Sequence, residues 1–458
     1  MSGCRGAALA ALLLAGSLPV CAQSWTVKPE WVKAHEDFLA SDVMHGRGSA
    51  TRDEEITATY VASEFEAYGL GFAPGMSGYL QSAPIVAPSL DGHATIAAGS
   101  VKLEEQKDFD LLASGTEPVS GELQVLAFAE VRKAKVAHGA VVLLHGVPDD
   151  LSAAYNAAHW LRHNGAAAVL LEGEGLDDFL VQLGGKTQTG IWLAEEKPER
   201  AAMTLAVLKH PAALTAGDPL TVTVKEQTSE PRHTFNAIGY LQGTDPSAGT
   251  LLLTAHLDHL GVGRPVDGDA IYNGANDDAA GTTAVLELAH ALTSGPRPRR
   301  SVLFVCYGSE EAGELGSLYF GAHPPVPLKQ IVANLEFEMI GNQDPKMPKG
   351  VLLLTGYDRS NLGPTLKEHG ALVGPDPYPE EHFFERSDNY QLALKGVVAH
   401  TAAGWGTVPT YHRPDDDLAH LDLPFMTQAI QSLVEPVRWL ATSDFVPKWN
   451  AGGKPEDK

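Results

Sequence analysis

Hydrophobic residues along the chain follow two different periods. Apolar positions at Ile56, Tyr60, Val61 and Phe65 recur at helical spacing and stop at Gly69. They predict a helix over 53–68, behind a shorter one at 31–39. Between about 90 and 226 the texture changes to short apolar runs broken by Gly, Pro and Asp. Runs at 140–144 and 167–171 read as buried strands with a helix over 153–164 between them, a small α/β unit. From Asn236 onward the runs lengthen, at 251–255, 302–307, 332–339, 351–355 and 397–401, with helical stretches at 282–293 and 426–441. Strands that are apolar on both faces and alternate with helices predict an α/β fold: a mostly parallel mixed sheet covered by helices on both faces. The last residues, from Lys448, are polar and are expected to be loose.

Composition narrows the class. Of 458 residues, 33 are Lys or Arg and 57 are Asp or Glu, a net charge of −24. Such a chain repels phosphate backbones, which argues against nucleic-acid partners. Residues 1–22 read as an export signal. Arg5 supplies the positive start, 7–15 an apolar core, and Val20, Cys21 and Ala22 a small-residue cleavage site. Nine apolar residues fall short of the ~20 that span a membrane, so a secreted or periplasmic protein is expected. Acylation at Cys21 is disfavoured because Val20 is a poor residue before an acylated cysteine. Cleavage leaves Cys306 as the single cysteine, inside an apolar strand, where packing is its expected role. The texture divides the chain into a signal (1–22), a first segment (23–89), an insert (90–226), a core (227–445) and a tail (446–458).

The candidate chemistry sits at the ends of the long apolar runs, where ligands bind in open α/β sheets. One run ends at His256, Asp258 and His259. A tight acidic loop carries Asp277 and Asp278 before a helix. Another run leads to Glu310 and Glu311, a third ends at Glu338 before Met339, and Tyr411 and His412 follow near the C-terminus. Each has an ordinary explanation, such as a helix N-cap for the Asp pair or a rim position for a lone histidine. Taking one ligand from each of the five segments, they supply two histidines and three carboxylates, with a spare glutamate beside one of them. That inventory suits a two-metal hydrolytic site for borderline-soft ions such as zinc.

These motifs together resemble the M28 family of co-catalytic zinc aminopeptidases. Residues 35–81, with Gly46, Arg47 and Gly48, resemble its N-terminal segment, and 236–421 its core. The stretch 136–171 is similar to a protease-associated domain, which such enzymes often carry as an insert. The resemblance implies two zinc ions per chain. His256 and Glu338 would hold one, Glu311 and His412 the other, and Asp277 would bridge them. It implies Glu310 as general base, Asp258 as the carboxylate that orients His256, and Tyr411 as a stabiliser of the oxyanion. The substrates implied are peptides with a free N-terminus. Where the family usually has Asp before Met-Ile-Gly this chain has Glu338, so Glu336, two residues back on the same strand face, is a rival ligand. Asn389 stands where the family's substrate-side stretch has His, and His259 is given no role. The alternatives are a carboxypeptidase or dipeptidase using Arg386 or Arg413 for the substrate carboxylate, a glutaminyl cyclase-like enzyme, or a non-catalytic binding protein on the same scaffold.

Overall fold

The computed structural model describes residues 25–196, 203–227 and 231–456. The expected export signal lies outside them. A nine-stranded sheet forms the body. Its centre is four parallel neighbours in the order Ala399–Ala403, Ile331–Glu338, Thr250–His256 and Ser301–Tyr307. Arg232–Leu241 and Leu80–Val86 extend it on one side with antiparallel pairing, and Leu352–Leu354 does so on the other. The sheet is therefore parallel at the centre and largely antiparallel at its flanks.

The central strands are apolar throughout because each feeds two cores. Leu251, Leu253, Val302, Phe304, Leu335 and Phe337 pack beneath the helices Ala280–Thr293 and Leu423–Thr442. The alternate residues Leu252, Leu303 and Val305 face Phe320 and Leu392, carried by helices Leu315–Ala322 and Asn389–Leu394. A period of two with both faces covered gives the continuous apolar runs. The antiparallel flanks carry a weaker sequence signal. Leu80–Val86 alternates buried with partly exposed positions and contains Pro84, which weakens its strand signal.

Residues 95–223 contribute a separate eight-stranded sheet, built around the parallel strands Val119–Ala127, Val141–Val147, Ala168–Gly173 and Thr204–Leu208. Helix Leu151–His163 covers one face through Ala154, Ala157, Ala158 and Leu161. The insert also returns to the body: Trp192–Leu193 pairs with Leu80–Val86 as the last strand of the main sheet.

The tail corrects one expectation. Residues 446–456 are held, not loose. Asn361 Oδ1 accepts from Lys448 N at 2.7 Å and Asp358 O from Asn450 Nδ2 at 2.8 Å. The Trp449 ring packs on Phe384 and His400. One aromatic anchor outweighs the polarity of its neighbours.

Helix Pro29–Leu39 carries a pH-sensitive group into the core. Glu36 is fully buried and accepts from Thr283 Oγ1 at 2.8 Å. Burial pushes its carboxyl up from the usual 4.5 to about 8, against the Thr283 bond and the Arg47 charge, with Asp416 and Asp37 adding to the rise. Between those values the unfolded chain is ionised at this position while the folded chain is not. Stability therefore falls by up to ~1.4 kcal/mol per pH unit as pH rises through the window. Urea melts of Glu36→Gln should match wild type near pH 5 and become progressively more stable than wild type towards pH 8.

Candidate active site

Local geometry delivers the candidate residues to one end of the sheet. Arg47 fastens the first segment to that end. Its guanidinium is fully buried and donates to the carbonyls of Leu257 at 3.0 Å, Asn273 at 2.5 Å, Gly274 at 2.8 Å and Leu39 at 2.8 Å. The first three belong to the loops after His256 and before Asp277 and the fourth ends the helix Pro29–Leu39, so one side chain ties both loops to the first segment. The preceding Gly46 has φ 67°, and a Cβ there would lie 2.2 Å from Tyr272 O, so only glycine fits. Arg47→Met would orphan four buried carbonyls and should cost about 3–5 kcal/mol, read as a lower urea midpoint.

His256 ends its strand fully buried, with Thr282 Oγ1 donating to its carbonyl at 2.7 Å. Its Nε2 lies 3.1 Å from Asp277 Oδ1, and its Nδ1 3.7 Å from Asp258 Oδ1. Asp258 accepts from Ser49 Oγ at 2.5 Å and from Glu310 N at 2.9 Å, which links the first strand end to the second. Asp277 is aimed by Asp416, whose two oxygens accept from Asn276 N at 2.9 Å and Asp277 N at 3.0 Å. Asp278 turns away and accepts from Gly281 N and Met339 N. His412 Nε2 lies 3.2 Å from Glu311 Oε2 and 3.4 Å from Asp277 Oδ2. Tyr411 stacks on the His412 ring at 3.8 Å between centroids.

Two groups of ligand-type atoms result. His256, Asp277 and Glu338 bring one ligand atom each within 4.8 Å of one another, and so do His259, Asp277 and Glu311. Asp277 is common to both. Buried atoms facing inward, including His256 Nε2, His259 Nδ1, His412 Nε2, Asp277 Oδ1 and Glu311 Oε1, have no well-formed hydrogen bond among the described residues. Tetrahedral coordination at ~2.0–2.1 Å would set ligand atoms roughly 3.3 Å apart, which matches the 3.1–3.4 Å separations of His256 and His412 from the carboxylates. The donor set therefore fits bound metal.

The electrostatics agree. Burial opposes the charge on Asp277, yet His256 and His412 outweigh it and hold the carboxyl well below its usual range. Burial raises Glu310, Glu336, Glu338 and Asp388 above theirs. So many carboxylates in one water-poor space call for positive charge at their centre.

Other expectations meet a mixed outcome. Glu336 is buried beneath Glu338, 3.4 Å from Thr401 Oγ1, and belongs to neither group of ligand atoms. Asn389 serves the fold: its Oδ1 accepts from Thr401 Oγ1 at 2.9 Å. Arg413 faces Asp178 and Asp415. Arg386 lines a small cavity beside Glu338 and Tyr411. Sequence reasoning passed over His259, whose Nδ1 lies 2.9 Å from Glu311 Oε1. Its place directly after the His256 motif was the available signal. No sequence signal could have shown that the insert reaches the site: the carbonyl of Gln182 stands 2.9 Å from His412 Nδ1. With a proton on Nδ1, that contact leaves Nε2 free to bind metal.

At one end of an open α/β sheet, Asp277 is thus shared between two histidine-bearing groups of ligand atoms whose spacing fits bound metal. Residues 236–435 match the peptidase family M28, and the chain carries an M28 family domain. Leupeptin-inactivating enzyme 1 of Streptomyces exfoliatus is 34% identical over 183 residues, 39% of this chain and 37% of that protein. Aminopeptidase YwaD of Bacillus subtilis is 25% identical over 181 residues, 38% and 39% of the two chains. The chain thus spans under half the length of these curated relatives. Among solved structures, the zinc aminopeptidase BSAP of Bacillus subtilis superposes with a TM-score of 0.62 at 18% identity, covering 92% of this chain and 97% of that one. The aminopeptidase of Aneurinibacillus sp. strain AM-1 gives 0.60 at 18% identity, covering 91% and 94%. At those coverages the shared fold takes in the inserted sheet as well as the main one.

Proposed function

We propose that the protein is an exported two-zinc aminopeptidase that removes N-terminal residues from peptides, with its insert acting as a protease-associated domain. The observation that carries this reading is Asp277, common to both groups of ligand atoms, in a domain whose relatives include aminopeptidases. His256 and Glu338 would hold one ion and Glu311 and His412 the other, with Asp277 between them; His259, which the second group of ligand atoms contains, is the rival to His412 for that ion. Zinc bound there supplies Lewis acidity and lowers the pKa of water towards neutrality.

The chain's own groups do the rest. Glu310 is half-buried, with its backbone pinned to Asp258. Its carboxylate accepts a proton from the attacking water and returns it to the leaving nitrogen. Tyr411 Oη donates to the carbonyl oxygen as negative charge develops there. Asp258 keeps the His256 ring oriented. The substrate α-ammonium settles against Glu338 in the small cavity beside Tyr411, which confines cleavage to the first peptide bond.

The test is mass spectrometry of peptides with free and acetylated N-termini, incubated with and without a chelator. Stepwise loss from free N-termini alone, abolished by the chelator and restored by zinc, is the expected result. Trimming from the C-terminus, or cyclisation of N-terminal Gln, would replace this reading with one of its rivals.

A further inference from the structure

A cavity of about 550 Å³ lies between the insert and the peptidase body, within the ~300–1,000 Å³ of small-ligand sites. His259 and Glu311 line it together with Ser49, so it opens onto the metal ligands from the side away from Glu338. Two cations also line it, Lys186 from the insert and Arg232 from the start of its strand in the main sheet.

Neither cation has a carboxylate partner among the described residues. Lys186 Nζ donates to Leu260 O at 2.9 Å, which leaves two of its three donors for a ligand. It reaches solvent inside the cavity, yet crowding by protein and the nearby Arg232 charge push its ammonium below the usual range. Three acids share these walls, and Glu311 faces His259 Nδ1 at 2.9 Å and His412 Nε2 at 3.2 Å. Asp110 faces Arg264 Nη1 at 2.6 Å and Lys209 Nζ at 3.0 Å, and Glu105 accepts from Ala94 N at 2.6 Å. Two adjacent cations left over in a chain of charge −24 form a site for an anion.

The identity of that anion follows from position. With the α-ammonium on the Glu338 side, the residues after the scissile bond extend past Glu311 into this cavity. We propose that Lys186 and Arg232 bind the C-terminal carboxylate of short peptide substrates, so that the cavity between insert and body selects for peptides of a few residues. This rests on the aminopeptidase reading and specifies its substrates. The guanidinium offers a planar fork for the carboxylate and the ammonium a second charge.

The experiment compares a tripeptide, Leu-Gly-Gly, as free acid and as C-terminal amide on the zinc-loaded full chain, beside Leu-Gly-Asp amide. Amidation should raise KM about tenfold in wild type. Lys186→Met and Arg232→Gln should each remove most of that difference, whereas Lys186→Arg keeps it. Equal KM for acid and amide, or a preference restored by the Asp side chain alone, would overturn the proposal while leaving aminopeptidase activity in place. If no peptide is cleaved, the functional reading has failed, and calorimetric binding of acid and amide still decides the site. Tighter binding of the acid, lost in Lys186→Met, supports it; equal binding or none refutes it.

Discussion

Glu310→Gln is expected to lower kcat by about 10²–10⁴-fold while both metals stay bound. General acid–base catalysis contributes that range, and Glu310 stands outside both groups of ligand atoms. Glutamine keeps the length and the backbone bond to Asp258 but cannot take a proton. Metal content by mass spectrometry together with kcat and KM separates this from a structural effect. An inert base mutant should retain full metal and near-normal KM. A variant that loses metal in step with activity would make Glu310 a ligand. One that keeps more than a tenth of wild-type kcat with full metal would remove it from the mechanism.

The central strands were legible because both their faces are buried, so 251–255 and 302–307 are continuous apolar runs whose ends mark the site. His256, Asp277, Glu310, Glu311, Glu338 and His412 could be named from the chain because each lies at such an end or in an adjacent polar loop. Of the features that aim them, Asp258 is implied by the family resemblance, but the others were not legible. Arg47 acts through four backbone carbonyls, and a sequence carries no pattern for a side chain's bonds to distant peptide groups. Asp416 looked like one of three consecutive aspartates, yet it alone caps the Asp277 loop. The contact of Gln182 with His412 spans 230 positions and uses no side chain of the insert. Lys186 and Arg232 are unremarkable in sequence and become a pair only when the insert folds onto the body. Chemistry was readable where local hydrophobic pattern fixes position, and unreadable where tertiary packing does.

Glu338 is the residue at which pattern and chemistry diverge most, and it yields the second large effect. Glu338→Gln should lose about one of two bound metals, and activity should fall by at least the 10–100-fold that even indirect metal partners cost. Glu336→Gln should keep both metals and most activity. The argument is geometric. Successive side chains on a strand alternate faces, so Glu336 and Glu338 point the same way, one rung apart. Glu338 ends the strand, where its oxygen comes within 4.8 Å of ligand atoms of His256 and Asp277. Glu336 sits one rung deeper against Thr401, fully buried, with one carboxyl oxygen lacking a partner among the described residues. Burial and the nearby Asp388 hold the Glu336 carboxyl above the usual carboxylate range. Gln at 336 keeps the side chain's size and its contact with Thr401, whereas Gln at 338 removes a carboxylate oxygen from the group it forms with His256 and Asp277. Metal loss from Glu336→Gln alone would reverse the assignment and place the ion one rung deeper in the sheet.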